Sequence, residues 1–191
     1  MNIEYEATFT QINKNQMRQK LKSIGAKLIK TEFLMKRVVF HPPQQIKNSW
    51  MRVRNEGDKI TMSLKIVTGK KITDQKEIEL VIDDFEEGCK FLEAIGARRK
   101  SYQETKREHW HYKNCEITLD TWPGLKPLIE IEGPNENIVK KVSEKIGFDW
   151  QDAFFGAAGD IYQKELGIPL DIINNKTPEA TFKNPPKPYK K

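Results

Sequence analysis

Cysteine and histidine are scarce in this sequence, with two of the first and three of the second among 191 residues. Cys89 and Cys115 stand in neither a CxxC pair nor a metal-ligand spacing, so we expect free thiols in a reducing compartment. The sequence also lacks any apolar run long enough to span a membrane. Its first residues include Glu4 and Glu6 and lack the cationic, then apolar order of a signal peptide. We therefore expect a cytoplasmic location and no membrane partner.

Several common catalytic motifs are missing as well. The sequence has no P-loop, no dinucleotide fingerprint and no nucleophilic triad. His41 stands beside Pro42 and is predicted to lie in a loop. His109 and His111 share one face of a predicted strand, where they serve either as acid–base groups or as structural or solvated side chains. Their spacing alone does not indicate a metal site.

Positive charge is concentrated at the end of the chain. The formal net charge is +6, but residues 176–191 contain five lysines and one acid, which leaves only +2 for residues 1–175. A body so weakly basic does not indicate a nucleic-acid partner. We expect residues 1–168 to form one domain and the Pro- and Lys-rich residues 169–191 to form a flexible tail.

Apolar periodicity and turn signals predict an α+β protein with eight strands and four helices. The predicted strands are 3–9, 33–40, 50–54, 60–67, 75–82, 102–112, 115–120 and 128–133. The predicted helices are 14–24, 85–95, 136–146 and 151–166.

Charged and apolar residues alternate along most of these strands. Ile78 and Leu80, for example, share one face, while Glu77 and Glu79 share the other. The apolar strand faces are the only large surface on which the helices can bury their own apolar stripes, so the helices should lie outside. The charged faces then point inward. This pattern predicts a mostly antiparallel, eight-stranded β-barrel with a polar, charged lumen.

Such a lumen suits a metal-bound polyphosphate. Two Glu-x-Glu pairs supply hard carboxylate oxygens for Mg²⁺ or Mn²⁺. The basic side chains available for phosphate oxygens are Arg52, Arg54, Lys65 and Arg107. A structural network of ion pairs would use the same residues and is the alternative interpretation.

In their order along the chain, these motifs resemble the CYTH superfamily. These triphosphate tunnel metalloenzymes include class IV adenylate cyclases, thiamine triphosphatases and inorganic triphosphatases. The resemblance spans residues 1–168. The motifs that carry it are EYEAT (4–8), WMRVR (50–54), TMSLK (61–65), KEIEL (76–80), TKREHWHY (105–112) and LDTWPGLKPLIEIEG (119–133).

The resemblance implies a metal-dependent enzyme that acts on ATP or on another organic or inorganic triphosphate. Either a phosphoryl group passes to water, or ATP is cyclised as in class IV adenylate cyclases. The implied metal ligands are Glu4, Glu6, Glu130 and Glu132. The implied phosphate-binding residues are Arg52, Arg54, Lys65 and Arg107. The implied catalytic residues are Arg107, Lys65 and Asp120.

Two positions depart from the family pattern. Thr8 stands where the Glu-x-Glu-x-Lys motif has its lysine, and Thr121 stands where the family has a second acid. The candidates to replace the lysine are Lys36, Arg37 and Lys106, of which strand alternation disfavours Lys106. A non-catalytic organophosphate-binding protein on the same fold therefore stays open, as does, more weakly, an RNA-associated protein. Formation of a homodimer is also left open.

Overall fold

The computed structural model of the protein describes residues 1–44 and 46–190. Its strands are β1 (Asn2–Ile3), β2 (Tyr5–Phe9), β3 (Lys27–His41), β4 (Ser49–Asn55), β5 (Ile60–Val67), β6 (Gln75–Ile82), β7 (Arg98–Tyr112), β8 (Cys115–Thr121), β9 (Leu128–Gly133) and β10 (Glu179–Ala180). Its helices are α1 (Lys14–Ser23), α2 (Phe85–Ala94), α3 (Glu136–Ile146), α4 (Ala158–Leu166) and α5 (Leu170–Asn175).

The strands form a nearly closed antiparallel barrel in the order β1-β6-β5-β4-β3-β7-β8-β9-β2. Its two end strands, β1 and β2, are separated along the chain only by Glu4, whose backbone N–H donates to the carbonyl of Gln75 at 3.0 Å. One N-terminal segment thus pairs first with β6 and then with β9. The predicted α+β barrel is confirmed. It has nine strands rather than eight because the first predicted strand divides at Glu4.

The apolar faces of most strands point outward and lie beneath helices, as predicted. The outward face of β6 is an exception, because Ile78 and Leu80 are 45% and 54% exposed. One core lies between α1, α3 and strands β2, β8 and β9, where Leu21, Ile117 and Val139 are fully buried. A second lies beneath α2 and includes Val53 and Leu92. Both cysteines are free and buried in these cores. Among the described residues, no helix is long and apolar enough to cross a membrane.

Local sequence signals fix where the helices begin and end. The side chains of Asn13, Asp84 and Asn135 cap α1, α2 and α3 by accepting backbone N–H groups of the first turn. Helix α3 ends on Gly147, whose φ of +103° lies in the left-handed region that glycine adopts without steric cost.

The predicted helix 151–166 is wrong in its first part. A 3₁₀ turn at Trp150–Asp152 is followed by extended backbone, and α4 begins only at Ala158. The extended residues pair with the barrel: Phe154 N–H donates to Thr8 C=O at 2.9 Å, and Thr8 N–H donates to Phe154 C=O at 3.1 Å. This pairing joins residues far apart in sequence, so the local pattern could not indicate it.

The residues predicted to form a flexible tail make several contacts with the barrel. They include helix α5 and strand β10. Strand β10 pairs in parallel with β7, with Ala180 opposite Gln103. Ala180 and Thr181 are buried, and the N–H of Tyr189 donates to the carbonyl of Leu166 at 2.9 Å. Lys191 lies outside the described residues. These contacts locate the segment, whereas its flexibility stays a prediction.

Candidate active site

A cavity of about 1640 Å³ occupies the barrel and is lined by inward-facing residues of its strands. Strand alternation places them there, because side chains two residues apart share a face. Of the nine predicted site residues, eight line this cavity. The ninth, Asp120, is fully buried behind Arg107.

Four predicted metal ligands form one side of the cavity, here called the acidic wall: Glu4, Glu6, Glu130 and Glu132. They lie on the adjacent strands β2 and β9 and on the link before β2, with Glu6 opposite Glu132. Burial, followed by the charge of Glu130, raises the pKa of Glu6 to about 7. Burial, followed by a hydrogen bond with Glu77, raises the pKa of Glu4 to about 8. Ionising all these carboxylates together is therefore unfavourable in the protein alone.

Two cations contact the acidic wall. Lys65 Nζ lies 2.7 Å from Glu4 Oε2 and 3.9 Å from Glu6 Oε1. Burial lowers the pKa of Lys65, but the charges of Glu6 and Glu4 outweigh it, and the pKa rises to about 12. Arg107 Nη2 lies 2.7 Å from Glu130 Oε2. Lys65 and Arg107 thus stand where they compete with any external cation for the carboxylates.

Asp120 holds Arg107 in position. The Nε of Arg107 donates to Asp120 Oδ1 at 2.8 Å, and its Nη2 donates to Oδ2 of the same carboxylate. The two residues are also direct partners across β7 and β8. A planar guanidinium gripped at two points keeps one orientation. Asp120 is fully buried and does not line the cavity, so it acts through Arg107.

The third Glu-x-Glu pair belongs to a different environment, here called the ion-pair wall: Arg52 and Arg54 on β4 with Glu77 and Glu79 on β6. Arg52 Nη2 lies 2.9 Å from Glu77 Oε1, and Arg54 Nη2 lies 3.1 Å from Glu79 Oε2. Burial raises the pKa of Glu77, but Arg52, together with the hydrogen bond from Glu4 and with Lys65, lowers it overall. The alternative interpretation, a structural ion-pair network, fits this wall.

Arg54 has a further partner that the sequence did not single out. Glu56 Oε1 lies 2.7 Å from Arg54 Nη2. Burial raises the pKa of Glu56, but Arg54 and Lys59 outweigh it, and the pKa is lowered overall. The turn between β4 and β5 thus places a carboxylate at one rim of the cavity.

Only one of the three candidates to replace the motif lysine lines the cavity, and it is Arg37. Lys36 is exposed. Lys106 is also exposed, with its Nζ 5.0 Å from the ring centroid of Phe182. Thr8 itself is buried on the cavity wall. Register explains the difference, because Arg37 is the direct partner of the inward-facing Arg54.

Two of the three histidines, His109 and His111, lie near Glu116. His109 lines the cavity, and its Nε2 contacts Glu116 Oε2. His111 Nε2 lies 3.9 Å from Glu116 Oε1. The prediction of a loop at His41 is wrong: this residue ends β3, which extends to it because β3 pairs with β7 as far as Arg98.

The acidic wall fits a hard divalent cation in its chemistry. Carboxylate oxygens are the ligands that Mg²⁺ and Mn²⁺ prefer. Burial raises the pKa of both Glu4 and Glu6, and a bound cation would favour their ionised forms. Within residues 1–44 and 46–190, however, no three acidic, histidine or cysteine side chains converge on one point. Glu4 and Glu130 are instead directed to Lys65 and Arg107.

Fold and lumen together define a tunnel-type β-barrel protein with a charged binding cavity. Comparison of the sequence with protein families gives the particular family: residues 2–151 match the CYTH domain, and the chain belongs to this family. No curated protein matches the chain.

Solved structures with the same fold come from archaea, bacteria and plants. The PH1012 protein of Pyrococcus horikoshii OT3 is 21% identical with a TM-score of 0.66, over 78% of this chain and 93% of that one. A provisional adenylate cyclase of Vibrio parahaemolyticus is 13% identical with a TM-score of 0.72, over 85% of this chain and 98% of that one. A third structure is that of a Hippeastrum protein, provisionally an adenylyl cyclase, for which a dominant triphosphatase activity is described. It is 13% identical with a TM-score of 0.57, over 88% of this chain and 99% of that one. At these identities the similarity concerns the fold.

Proposed function

We propose that the protein is a metal-dependent enzyme that acts on a triphosphate inside the barrel. The observation that carries this proposal is the pairing of an acidic wall deficient in positive charge with arginines in one cavity. A triphosphate with a bound divalent cation presents negative oxygens and positive charge at once, and so complements both sides. Membership of the CYTH family supports the same substrate class, as do the activities named for the Vibrio and Hippeastrum proteins.

Glu4, Glu6, Glu130 and Glu132 would hold Mg²⁺ or Mn²⁺. When bound, the ion supplies polarisation of phosphate oxygens and neutralisation of their charge. Lys65, which pairs with Glu4, and Arg107, which pairs with Glu130, would then be available to contact phosphate oxygens.

The chain's own contribution is positioning and charge neutralisation. Arg52 and Arg54 present forked donors that match phosphate oxygens in two-point contacts. Arg107, fixed by Asp120, and Lys65 lie between the arginines and the acidic wall, where they can stabilise charge that develops on the transferred group. The nucleophile is water in a hydrolysis and the ribose 3′-hydroxyl in a cyclisation, which expels pyrophosphate.

Product identity tests the proposal and separates the two reactions. Purified protein is incubated with ATP, inorganic triphosphate or thiamine triphosphate, with Mg²⁺, Mn²⁺ or EDTA. We expect metal-dependent release of phosphate, or of pyrophosphate together with cyclic AMP. Absence of every product in all nine mixtures would contradict an enzyme of this kind.

A non-catalytic organophosphate-binding protein is the second candidate. Thr8 favours it, because a buried threonine that pairs with Phe154 occupies the place of the motif lysine. In that case a titration with triphosphate would show binding while the assays above show no turnover.

A further inference from the structure

Four arginines of the described residues line the cavity, and Arg37 is the one without a role in the proposed function. It lies on β3, where it is the direct partner of Arg54 on one side and of Gln103 on the other. Only 4% of the residue is exposed, and it lines the cavity. Its charge is therefore removed from bulk water and lies at the wall of the cavity.

The contacts of Arg37 leave its charge uncompensated. Its Nη2 donates to the hydroxyl of Thr105, and its Cζ lies 4.7 Å from the ring centroid of Trp122. Its buried Nε has no hydrogen-bond partner. Within the part of the chain that the structure describes, it forms no ion pair with a carboxylate.

The other lumen arginines differ in this respect. Arg52, Arg54 and Arg107 have carboxylate oxygens at 2.9, 2.7 and 2.7 Å, on Glu77, Glu56 and Glu130. Asp120, the acid whose charge acts on Arg37, is already held by Arg107.

The surroundings of Arg37 oppose its charge. Burial, followed by repulsion from Arg54, Arg52 and Arg107, lowers its pKa well below the usual value. An unpaired charge in a protein interior is costly, and natural proteins normally pair it. Substitution by an apolar side chain of similar length would relieve this cost. An arginine at this position therefore indicates that a ligand supplies the missing negative charge.

We infer that Arg37 is an anion-binding residue of the lumen, which donates a remaining Nη–H to phosphate oxygens of the bound triphosphate. This inference rests on the proposed function. In the strand order, β3 stands four places from both β1 and β2, so Arg37 lies across the barrel from Thr8. The positive charge that Thr8 lacks on one wall is then supplied from the opposite wall.

Calorimetric titration with inorganic triphosphate, in EDTA and again with Mg²⁺, tests the inference. Arg37→Met removes the charge and keeps an unbranched apolar chain, whereas Arg37→Lys keeps the charge but not the forked donors. The matched control is Arg99→Met, because Arg99 is exposed and pairs with Glu93 on the surface. We expect Arg37→Met to weaken binding by about 10- to 100-fold, Arg37→Lys to weaken it less, and the control to bind as the wild type does.

Thermal unfolding without ligand separates a binding role from a structural one. If Arg37 serves the ligand, Arg37→Met unfolds at the same temperature as the wild type or higher, because it no longer buries an unpaired charge. A lower unfolding temperature combined with unchanged affinity would show that the contacts with Thr105 and Trp122 matter instead. An Arg37→Met protein that does not fold would equally overturn the inference.

The titration gives a different result if the proposed function itself is wrong. A wild-type protein that binds no triphosphate under either condition refutes the triphosphate proposal and the assignment of Arg37 with it. A wild type that binds, together with an Arg37→Met variant of equal affinity, refutes only the assignment.

Discussion

The acidic wall and the ion-pair wall are built from the same Glu-x-Glu pattern, yet the pKa of Glu6 on the first is raised and that of Glu77 on the second is lowered. On the ion-pair wall, Glu77 has a pKa lowered overall by Arg52 and its other neighbours. On the acidic wall, burial raises the pKa of Glu6 to about 7 and that of Glu4 to about 8. Both walls line one cavity.

The difference lies in how many cations the protein places beside each acid. Every acid of the ion-pair wall faces an arginine on β4. The four acids of the acidic wall share Lys65 and Arg107, and Arg107 is also bound to Asp120. Glutamates that the protein pairs with its own arginines hold those arginines in place, whereas glutamates that share few cations are prepared for a charge from outside.

The largest effect is expected from removing charge on the acidic wall. In the double variant Glu130→Gln/Glu132→Gln, metal-dependent turnover should fall about 1000-fold or more, because the ion contributes several kcal/mol of transition-state stabilisation. Phosphate or pyrophosphate release measures the loss, and circular dichroism checks that the protein stays folded. Full activity in the folded variant would refute the metal assignment.

Removing a charge on the ion-pair wall should act on stability instead. Glu77→Gln leaves the buried Arg52 with only a distant carboxylate, Glu79 at 3.9 Å, and should destabilise the protein by about 3 kcal/mol. Urea unfolding measures this change. The matched control is Glu87→Gln, which breaks an exposed pair with Lys90 and should leave the unfolding midpoint unchanged. Equal midpoints for the two variants would erase the distinction between the walls.

The two walls should also differ in their response to pH. A carboxyl whose pKa rises from 4.5 to about 7 on folding, as for Glu6, keeps its proton in the folded state after the unfolded chain has lost it. The contribution of Glu6 to the stability of the metal-free protein should therefore fall as pH rises from 4.5 to about 7 and then level off.

Glu6→Gln should remove part of the loss of stability that the wild type shows as pH rises. The variant should be more stable than the wild type at pH 8 in EDTA. Thermal unfolding across this pH range, with Mg²⁺ added in a parallel series, measures the difference. A variant less stable than the wild type at pH 8 would mean that Glu6 is already compensated.

The smallest effect is expected from adding the motif lysine to the acidic wall. Thr8→Lys would place a cation opposite Glu130. Turnover should change by less than about tenfold, because one additional contact between a lysine and a phosphate oxygen contributes about 1 kcal/mol when other cations of the cavity already bind the phosphates. Steady-state kinetics with the best triphosphate substrate measures it. A rise far beyond tenfold would show that the native site is impaired by Thr8.

Strand alternation was enough to predict most of the lumen. In β4 and β9, arginines and glutamates alternate strictly with apolar residues, so the inward face of Arg52 or Glu130 follows from the period alone. Arg37 was harder, because the apolar residues around it, such as Met35, Val38 and Val39, do not alternate. Its direction becomes clear only from its register with Arg54 on the next strand, which the residue pattern of β3 alone does not give.

Long-range pairing also accounts for what was missed at the end of the chain. The backbone bridge between Thr8 and Phe154 and the pairing of β10 with β7 use short extended stretches without a periodic pattern. Only the completed barrel offers them an edge. Differences in charge state between identical Glu-x-Glu motifs arise in the same way, since they depend on which arginines the fold brings alongside.

The N-terminal segment pairs first with β6 and then with β9, so the candidate site forms only when this segment has folded into place. Its partners lie far along the chain, at Lys76 and Glu77 and at Ile129–Gly133, and contacts of such separation form slowly because much loop entropy is lost before they do. Glu4 and Glu6 lie on that same segment. The acidic wall is therefore assembled by the step that closes the barrel, and under the proposed function a nascent or partly folded chain would be unable to bind a metal ion there before the fold is complete.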